Sequence, residues 1–128
     1  MLISIINILS AISDDKALTL FKTIAFENTY SDNLLNRVKL TRKQYYSRIA
    51  DLIKAGLVKR KSGRYFLTSY GKIVYDAHTL VENAVSNYWK LKVIDSIESK
   101  DLSEDEYAKV VNTLIDSKNN KIKEIILA

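Results

Sequence analysis

The stretch of residues 40–68, LTRKQYYSRIADLIKAGLVKRKSGRYFLT, changes from a helical to an extended pattern at Gly56. Thr41 and Gln44, preceded by an apolar residue, have the spacing of a helix capping box. We therefore predict a helix over residues 41–55. Gly56 is expected to end this helix, because glycine adopts the left-handed conformation beyond a helix end at the least steric cost.

After the glycine, the pattern predicts two short strands, residues 57–60 and 64–68, around a turn at residues 61–63. The turn contains a glycine, as hairpin turns commonly do. Tyr65 and Phe66 are adjacent in the second strand, so only one of them is expected to face the core.

Polar capping residues followed by apolar positions at intervals of three and four predict further helices on both sides of this stretch. In chain order these are a helix that begins at residues 13–16, a short helix at 31–38, a helix over 70–98 and a final helix from 103, with polar breaks at 27–30 and 118–121. The chain is thus expected to be mainly α-helical with one small β-hairpin.

Positive charge is concentrated in residues 37–72, which hold eleven Lys or Arg and one acid, Asp51. The local net charge is +10 (11 − 1), against +5 for the whole chain, so the remainder carries −5. Clustered Lys and Arg neutralise nucleic-acid phosphates and release their counterions. A solvated basic face is the alternative, but the coincidence of the charge with a helix and a hairpin favours nucleic acid.

The composition excludes several classes of site. With 128 residues, of which 47% are apolar, the chain is long enough for one compact domain. It has no cysteine and a single histidine, His78, so neither a thiolate zinc site nor a histidine-rich metal centre is available. We expect no metal, no cofactor and no enzymatic activity, and a small nuclease is disfavoured because metal ligands are lacking.

The amino-terminal segment MLISIINILSAIS is apolar. It is shorter than the about 18 to 20 apolar residues of a membrane span, and two acids follow it in place of a signal cleavage site. We expect neither a span nor a signal peptide, and a cytoplasmic, nucleoid-associated location. Helical spacing favours a short amphipathic helix that packs on the body of the protein or on a second subunit, although the isoleucines leave a strand as the alternative. The apolar positions are Leu2, Ile5, Ile6, Leu9 and Ile12.

The order helix, short helix, helix, hairpin and long helix resembles that of winged helix-turn-helix domains. Residues 40–68 resemble the recognition helix and wing of ArsR-like and MarR-like bacterial and archaeal transcription regulators. In those proteins an AGLV ending leads into a basic hairpin closed by LT, as at residues 55–58 and 67–68 here. The resemblance covers about the central half of the chain. It implies DNA binding and buried positions at Ile49, Leu52 and Ile53.

A helix that begins at Thr41 places Tyr45, Ile49 and Leu52 on its core face and leaves the rest of its amino end exposed. That end suits the major groove, where Arg and Lys contact guanine and Gln contacts adenine. The basic hairpin is expected to contact phosphates or an adjacent minor groove. The predicted DNA-binding residues are Thr41, Arg42, Lys43, Gln44, Tyr46, Ser47, Arg48, Lys59, Arg60, Lys61 and Arg64, of which Arg42, Gln44, Tyr46 and Ser47 are assigned to base edges.

The predicted long helix has apolar residues alternately four and three apart, the spacing of a coiled-coil seam. We expect a homodimer to bury this seam, because a small domain cannot cover so much apolar surface. Two-fold symmetry would place two recognition helices about 34 to 36 Å apart on a palindromic duplex. Packing of the terminal helices on the seam within one chain is the alternative. The predicted interface residues are Ile73, Ala77, Leu80, Ala84, Leu91 and Ile94.

Two other features of the long helix are assigned structural roles. His78 and Glu82 lie four residues apart, so we expect a surface ion pair there in preference to a pH sensor. Tyr75, Tyr88 and Trp89 are expected to be core or interface residues, although they could line a pocket.

These expectations describe a winged helix-turn-helix protein of one domain, 1–128. Its core is predicted at 13–68, with a helical dimerisation extension at 69–128 on which residues 1–12 pack. The expected function is sequence-specific binding of duplex DNA by a homodimeric transcription regulator. The alternative is a winged-helix module that binds RNA or a protein partner in a replication-type or other nucleoprotein assembly. The sequence does not identify a small-molecule effector.

Overall fold

The computed structural model describes residues 3–27, 31–97 and 101–128. These residues form a mainly α-helical protein with a two-stranded antiparallel hairpin, so the predicted secondary-structure class is confirmed. None of their helices is long and apolar enough to cross a membrane. The elements are α1 (Ile5–Ala11), α2 (Asp15–Glu27), α3 (Ser31–Arg37), α4 (Arg42–Lys54), β1 (Val58–Lys61), β2 (Arg64–Leu67), α5 (Ser69–Ser86), α6 (Tyr88–Asp95), α7 (Glu104–Leu114), a 3-10 turn (Ser117–Asn119) and α8 (Asn120–Leu127). Most of the predicted break at 27–30 lies outside the described residues.

The chain forms two compact units, residues 1–76 and 77–128, where the sequence predicted a single domain. Each unit has its own hydrophobic cluster. The boundary lies within α5 and not at residue 69, because Tyr70, Val74 and Tyr75 in its first turns pack against the core of the first unit.

The core of the first unit is built largely from α2, α3, α4 and the junction that follows α4. The predicted inward face of α4 is confirmed, since Tyr45, Ile49 and Leu52 are buried. Ile53, implied to be buried by the resemblance, is 41% exposed. At 3.6 residues per turn it lies 100° around the helix from Leu52, at the edge of the inward face.

The caps predicted for α4 are confirmed. The Thr41 hydroxyl accepts the Gln44 N–H at 3.1 Å, and the Gln44 side-chain oxygen accepts the Thr41 N–H at 3.2 Å. At the other end Gly56 has a φ of 82°, and the Leu57 N–H donates to the Leu52 carbonyl at 3.0 Å. This is the bond pattern of a Schellman motif, which turns the chain sharply from helix to strand.

Thr68 ties the end of the hairpin to the end of α4. Its backbone N–H donates to the Leu57 carbonyl at 3.0 Å, and its hydroxyl donates to the Gly56 carbonyl at 2.6 Å. The same hydroxyl accepts the Gly71 N–H at 2.8 Å, which caps the first turn of α5. A Cβ on Gly71 would overlap the Leu57 carbonyl, so only glycine permits this close approach. We call these four residues the Thr68 junction.

The hairpin closes with a two-residue turn at Ser62 and Gly63, both with positive φ (53° and 77°). Such a pair makes a type I′ turn, whose twist matches that of the strands. Tyr65 is buried and Phe66 is on the opposite face, which confirms that only one of them faces the core. The cross-strand pairs are Val58 with Leu67, Lys59 with Phe66, Arg60 with Tyr65 and Lys61 with Arg64.

The amino-terminal segment forms a helix, α1, and packs against α4. The predicted helix is confirmed, and Ile12 beyond its end packs against the core of the first unit. Ile8 is the buried residue of α1 and joins the core of the first unit, whereas Ile5, Ile6 and Leu9 are exposed. Leu2 lies outside the described residues. Residues of this segment therefore pack on α4 within the first unit.

The continuous helix predicted over residues 70–98 is interrupted at Asn87, which has φ −105° and ψ 16°. The Asn87 side-chain amide donates to the Asn83 carbonyl at 2.8 Å, which the Asn87 backbone N–H also approaches at 3.1 Å. This local bonding competes with the regular helical ladder. Asn87 is only 8% exposed, so the bond also satisfies a buried amide. Residue 98 lies outside the described residues.

The second unit has a core of its own, to which four helices contribute. Ile94, Val111, Ile115 and Ile122 are buried, and partly buried apolar side chains pack against them. These side chains are Leu80, Leu91, Tyr107, Leu114 and Ile126. Helix α7 begins as predicted, with the Ser103 hydroxyl accepting a backbone N–H.

We predict that Gly71→Ala destabilises the protein by about 1 to 3 kcal/mol, because the added methyl group overlaps backbone that cannot yield without moving α5 from the Thr68 junction. Ser69→Ala is the matched control in the same helical turn, because Ser69 is exposed. Chemical denaturation of both variants measures the difference. Equal stability of Gly71→Ala and the parent would contradict the packing at this junction.

Candidate nucleic-acid interface

The amino-terminal half of α4 presents an exposed polar face beside the buried one. Arg42, Lys43, Tyr46 and Ser47 are all exposed, and Tyr46 is 54% exposed despite its large ring. Arg42 and Tyr46 are one helical turn apart, as are Lys43 and Ser47, so the four form two neighbouring rows. This face combines two cations, a hydroxyl and an aromatic ring that can contact a polyanion and its bases.

Thr41 and Gln44 are engaged in the cap of α4. Because the Gln44 side-chain oxygen accepts the Thr41 N–H, it is not available for the two-bond contact that a Gln makes with adenine. The Thr41 hydroxyl is likewise held by the Gln44 N–H. The geometry thus assigns both residues to starting the helix, and it argues against the base contact predicted for Gln44.

Arg48 is also engaged within the chain. Its guanidinium donates to the Asp14 carboxylate at 3.1 Å, and its side chain is only 25% exposed. Asp14 in turn accepts the Ala17 N–H at 2.6 Å and so caps α2. Arg48 therefore links α4 to the start of α2, a role that sequence spacing did not reveal because 34 residues separate the two partners.

The hydrogen bond from the Ala17 N–H, helped by the Arg48 guanidinium, lowers the pKa of Asp14, while partial burial opposes this shift. The ionised carboxylate is the form that both partners favour. The cap and the ion pair consequently depend on the same protonation state.

A row of three tyrosines connects the exposed face of α4 to the hairpin. Tyr46 meets Tyr45 edge-on, with ring centroids 5.1 Å apart. Tyr45 is hydrogen-bonded to Tyr65 of β2, and burial raises the pKa of the Tyr45 phenol well above its ordinary value. The Arg60 guanidinium lies over the Tyr65 ring, 5.9 Å from its centroid. Arg60 is thereby held on the side of the hairpin that packs against α4.

The basic residues of the hairpin divide between its two faces. Lys59 and Lys61 alternate with Arg60 along β1, and directly paired residues share a face, so Arg64 lies with the two lysines. Arg60 shares the opposite face with Tyr65. The four cations predicted as one group therefore fall into two, as the two-residue period of a strand requires.

The face of Lys59 and Lys61 borders an open cleft of about 530 Å³. Lys72 from the start of α5 completes a set of three lysines, and Asp76 is the one acid among the lining residues. The aromatic rings of Phe66 and Tyr75 also line the cleft, together with Ile24, Ala25 and Leu67. Lys72 is not among the DNA-binding residues predicted from the sequence. Its position one helical turn beyond Thr68, at the end of the hairpin, could have indicated that it lies close to the hairpin lysines.

The six residues predicted for a dimer seam differ in exposure. Leu80, Leu91 and Ile94 pack in the hydrophobic cluster of the second unit, and Ala84 is partly buried. Ile73 of the first unit and Ala77 of the second are exposed. Leu80, Leu91 and Ile94 therefore pack within one chain, which was the predicted alternative to a dimer seam.

His78 and Glu82 form the expected ion-pair contact, with the His78 Nε2 3.1 Å from a Glu82 carboxylate oxygen. The His78 side chain is only 13% exposed, which is less than a surface ion pair implies. Within the described part of the chain, no group of three or more His, Asp or Glu side chains could hold a metal ion.

The chain matches no protein-family model, no curated protein and no solved structure.

We predict that Asp14→Ala destabilises the protein by about 1 kcal/mol at neutral pH, because the cap of α2 and the partner of Arg48 are lost together. Since the pKa of Asp14 is lowered in the folded state, its contribution is complete above the ordinary value of 3.8 and disappears as the pH falls through the folded-state pKa. Denaturation of parent and variant at several pH values measures this convergence.

Asp15→Ala is the control for the Asp14 experiment, because it removes the same charge from the next residue without removing the cap. A stability difference between Asp14→Ala and the parent that stays constant down to acidic pH would contradict the assigned role of the carboxylate.

Proposed function

We propose that this protein is a sequence-specific, duplex-DNA-binding transcription regulator of the winged helix-turn-helix type that acts as a homodimer in the cytoplasm, associated with the nucleoid. In this proposal α4 is the recognition helix, the hairpin is the wing, and no enzymatic step is involved. The observation that carries it is the exposed amino-terminal face of α4 joined to Arg60 of the hairpin through Tyr46, Tyr45 and Tyr65.

The recognition helix would insert its amino-terminal end into the major groove. Arg42 suits the two acceptors of a guanine, and Tyr46 and Ser47 can contact neighbouring base edges. Lys43 suits a phosphate, which positions the helix without selecting sequence. Gln44 and Arg48 are not among the proposed DNA contacts. The Gln44 side chain caps α4, and the Arg48 guanidinium pairs with Asp14.

The wing would contribute mainly through Arg60, which the tyrosine row holds beside α4. A guanidinium in that position can contact the backbone or enter the adjacent minor groove. Lys59, Lys61 and Arg64 are on the other face of the hairpin and would act as longer-range phosphate contacts.

A homodimer suits this function because two copies related by two-fold symmetry present the same helix to two half-sites, which gives a palindromic operator. Exposed apolar side chains on both units support association. They include Ile5 and Ile6 on α1 and Val85 and Trp89 in the second unit, each at least 70% exposed.

The decisive experiment is selection of bound sequences from a random pool of duplex DNA. The proposal expects enrichment of a palindrome with half-sites about one helical turn apart. Enrichment of no motif, or of a single asymmetric site, would reject the homodimeric regulator.

The second candidate is an RNA-binding winged-helix module in a nucleoprotein assembly. The cleft favours it, because unpaired bases can stack on rings such as Phe66 and Tyr75 while Lys59, Lys61 and Lys72 contact the backbone. Competition at moderate salt separates the candidates. If structured RNA displaces duplex DNA, the regulator proposal fails.

We predict that Arg42→Ala changes the preferred base at one position of each half-site and costs about 1 to 3 kcal/mol of binding to the selected sequence. Binding to random duplex should change much less. Lys54→Ala is the matched control, because it removes a cation from the opposite end of α4. Equal losses on selected and random DNA would assign Arg42 to a phosphate.

We predict that Arg60→Ala weakens binding to all duplex sequences and lowers the slope of log K against log salt by about one. Lys59→Ala, on the other face of the neighbouring position, should have a smaller effect on both quantities. Salt titrations of the two variants with the same duplex make the comparison. A larger effect of Lys59→Ala would place the DNA on the cleft side of the hairpin.

A further inference from the structure

Four large apolar side chains of the second unit, close together in sequence, are exposed in the structure as described for residues 77–97 and 101–128. Val81 is 60% exposed, Val85 70%, Tyr88 51% and Trp89 75%. All four lie between the amino-terminal part of the unit and the first turn of α6. Soluble proteins rarely leave several large apolar side chains side by side in water unless they form an interaction site. We call these four residues the Trp89 patch.

The spacing of the patch explains why it is distinct from the core of the second unit. Val81 and Val85 are four residues apart on α5, so they lie on neighbouring turns of one side of that helix. Tyr88 and Trp89 begin α6 after the interruption at Asn87, and their ring centroids are 5.2 Å apart. Leu80, Leu91 and Ile94 belong instead to the hydrophobic cluster of the second unit.

The patch is large enough to form the centre of a protein interface. With about 150 to 250 Å² per aromatic side chain and less for valine, its exposed side chains offer on the order of 500 Å². A standard interface buries about 800 Å² per partner, with a polar rim around an apolar centre. The patch thus has the size of the apolar centre of such an interface, which polar neighbours would surround.

The charges that flank the patch are self-complementary. Glu82 lies near its amino-terminal end, and Lys92 lies at its carboxy-terminal end with the ammonium group 5.8 Å from the Trp89 ring. Lys92 is ten positions beyond Glu82, which corresponds to roughly 15 Å at the helical rise, and within the chain the Glu82 carboxylate contacts His78. Two copies crossing antiparallel would bring each Glu82 to the Lys92 of the other copy.

We propose that the Trp89 patch is the contact surface of a two-fold symmetric homodimer in which α5 and α6 of two copies cross antiparallel. The symmetry axis passes near Asn87, so that Val85 of each copy packs against Trp89 of the other. Because the contact is isologous, it closes on itself and does not extend into a fibre. Its apolar centre and oppositely charged ends match the composition of protein interfaces.

The Trp89 patch would be the subunit contact of the homodimer on which the proposed function rests. The proposed interface and the proposed DNA binding can be disproved separately. Subunit association is measured without DNA, whereas base selection is measured with DNA. A dimer that binds no duplex would overturn the regulator and keep the interface. A monomer that binds a single half-site would overturn the interface and keep DNA binding.

The first test is sedimentation of the full chain over a range of concentrations. The parent is expected to form dimers. Val85→Glu should weaken the dimer by about 100-fold or more, since each of the two copies loses a buried valine and gains a buried carboxylate. Ile125→Glu is the matched control, because Ile125 of α8 is 55% exposed and lies outside the patch. Circular dichroism checks that both variants are folded.

A charge exchange tests the antiparallel arrangement itself. Glu82→Lys and Lys92→Glu should each weaken the dimer by about tenfold, because each replaces two attractive contacts with two repulsive ones. The variant with both substitutions should recover most of the parent's affinity. Since Glu82 also contacts His78, the recovery in the double variant is the decisive measurement. An additive loss in the double variant would overturn the antiparallel pairing.

Trp89 is the only tryptophan of the chain, so its fluorescence reports directly on the patch. Its emission should move to shorter wavelength as the protein concentration rises through the dimerisation range, because the exposed ring becomes buried. Ile125→Glu should show the same shift, and Val85→Glu should show it only at much higher concentration. A dimer whose formation leaves the Trp89 emission unchanged would assign the interface elsewhere, and a parent that stays monomeric would overturn the proposal.

Discussion

The hydrogen bonds of Thr68 are the constraint on which the first unit depends. One hydroxyl donates to the carbonyl that follows α4 and accepts the N–H that begins α5, while the Thr68 backbone N–H bonds to Leu57. The end of α4, both ends of the hairpin and the start of α5 therefore meet within one set of bonds. Gly71 permits the approach, since any side chain there would overlap the backbone of Leu57. The placement of the hairpin beside α4 follows from this junction.

The candidate interface is a consequence of that placement. With the hairpin fixed, Tyr65 reaches Tyr45, and Arg60 lies over the Tyr65 ring on the side of α4. Burial of Tyr45 makes this contact costly to break, because a separated phenol pair would leave polar atoms without partners. The exposed cations of α4 and the hairpin are thus held by a rigid apolar and aromatic support, which is the arrangement that a preorganised binding surface requires.

Much of the fold was predictable because its signals are local. The capping box of α4, the glycine that ends it and the hairpin turn are each set by a few neighbouring residues, and all were confirmed. The structure adds most where apolar residues have distant partners. Ile8 is the inward residue of α1, because α4 determines which face is covered. Leu80, Leu91 and Ile94, expected in a subunit seam, pack in the cluster of the second unit, and Asn87 divides the predicted long helix.

The position of the positive charge, both ends of α4 and the hairpin that follows are readable from the amino-acid sequence, because charge counts, caps and turns are properties of short segments. Which cations remain exposed depends on tertiary packing. Packing places Arg48 on Asp14 and holds Arg60 over the Tyr65 ring beside α4. It also decides which apolar side chains stay uncovered. Burial and pairing depend on segments that are distant along the chain, and a local sequence pattern does not show which distant segments will come into contact.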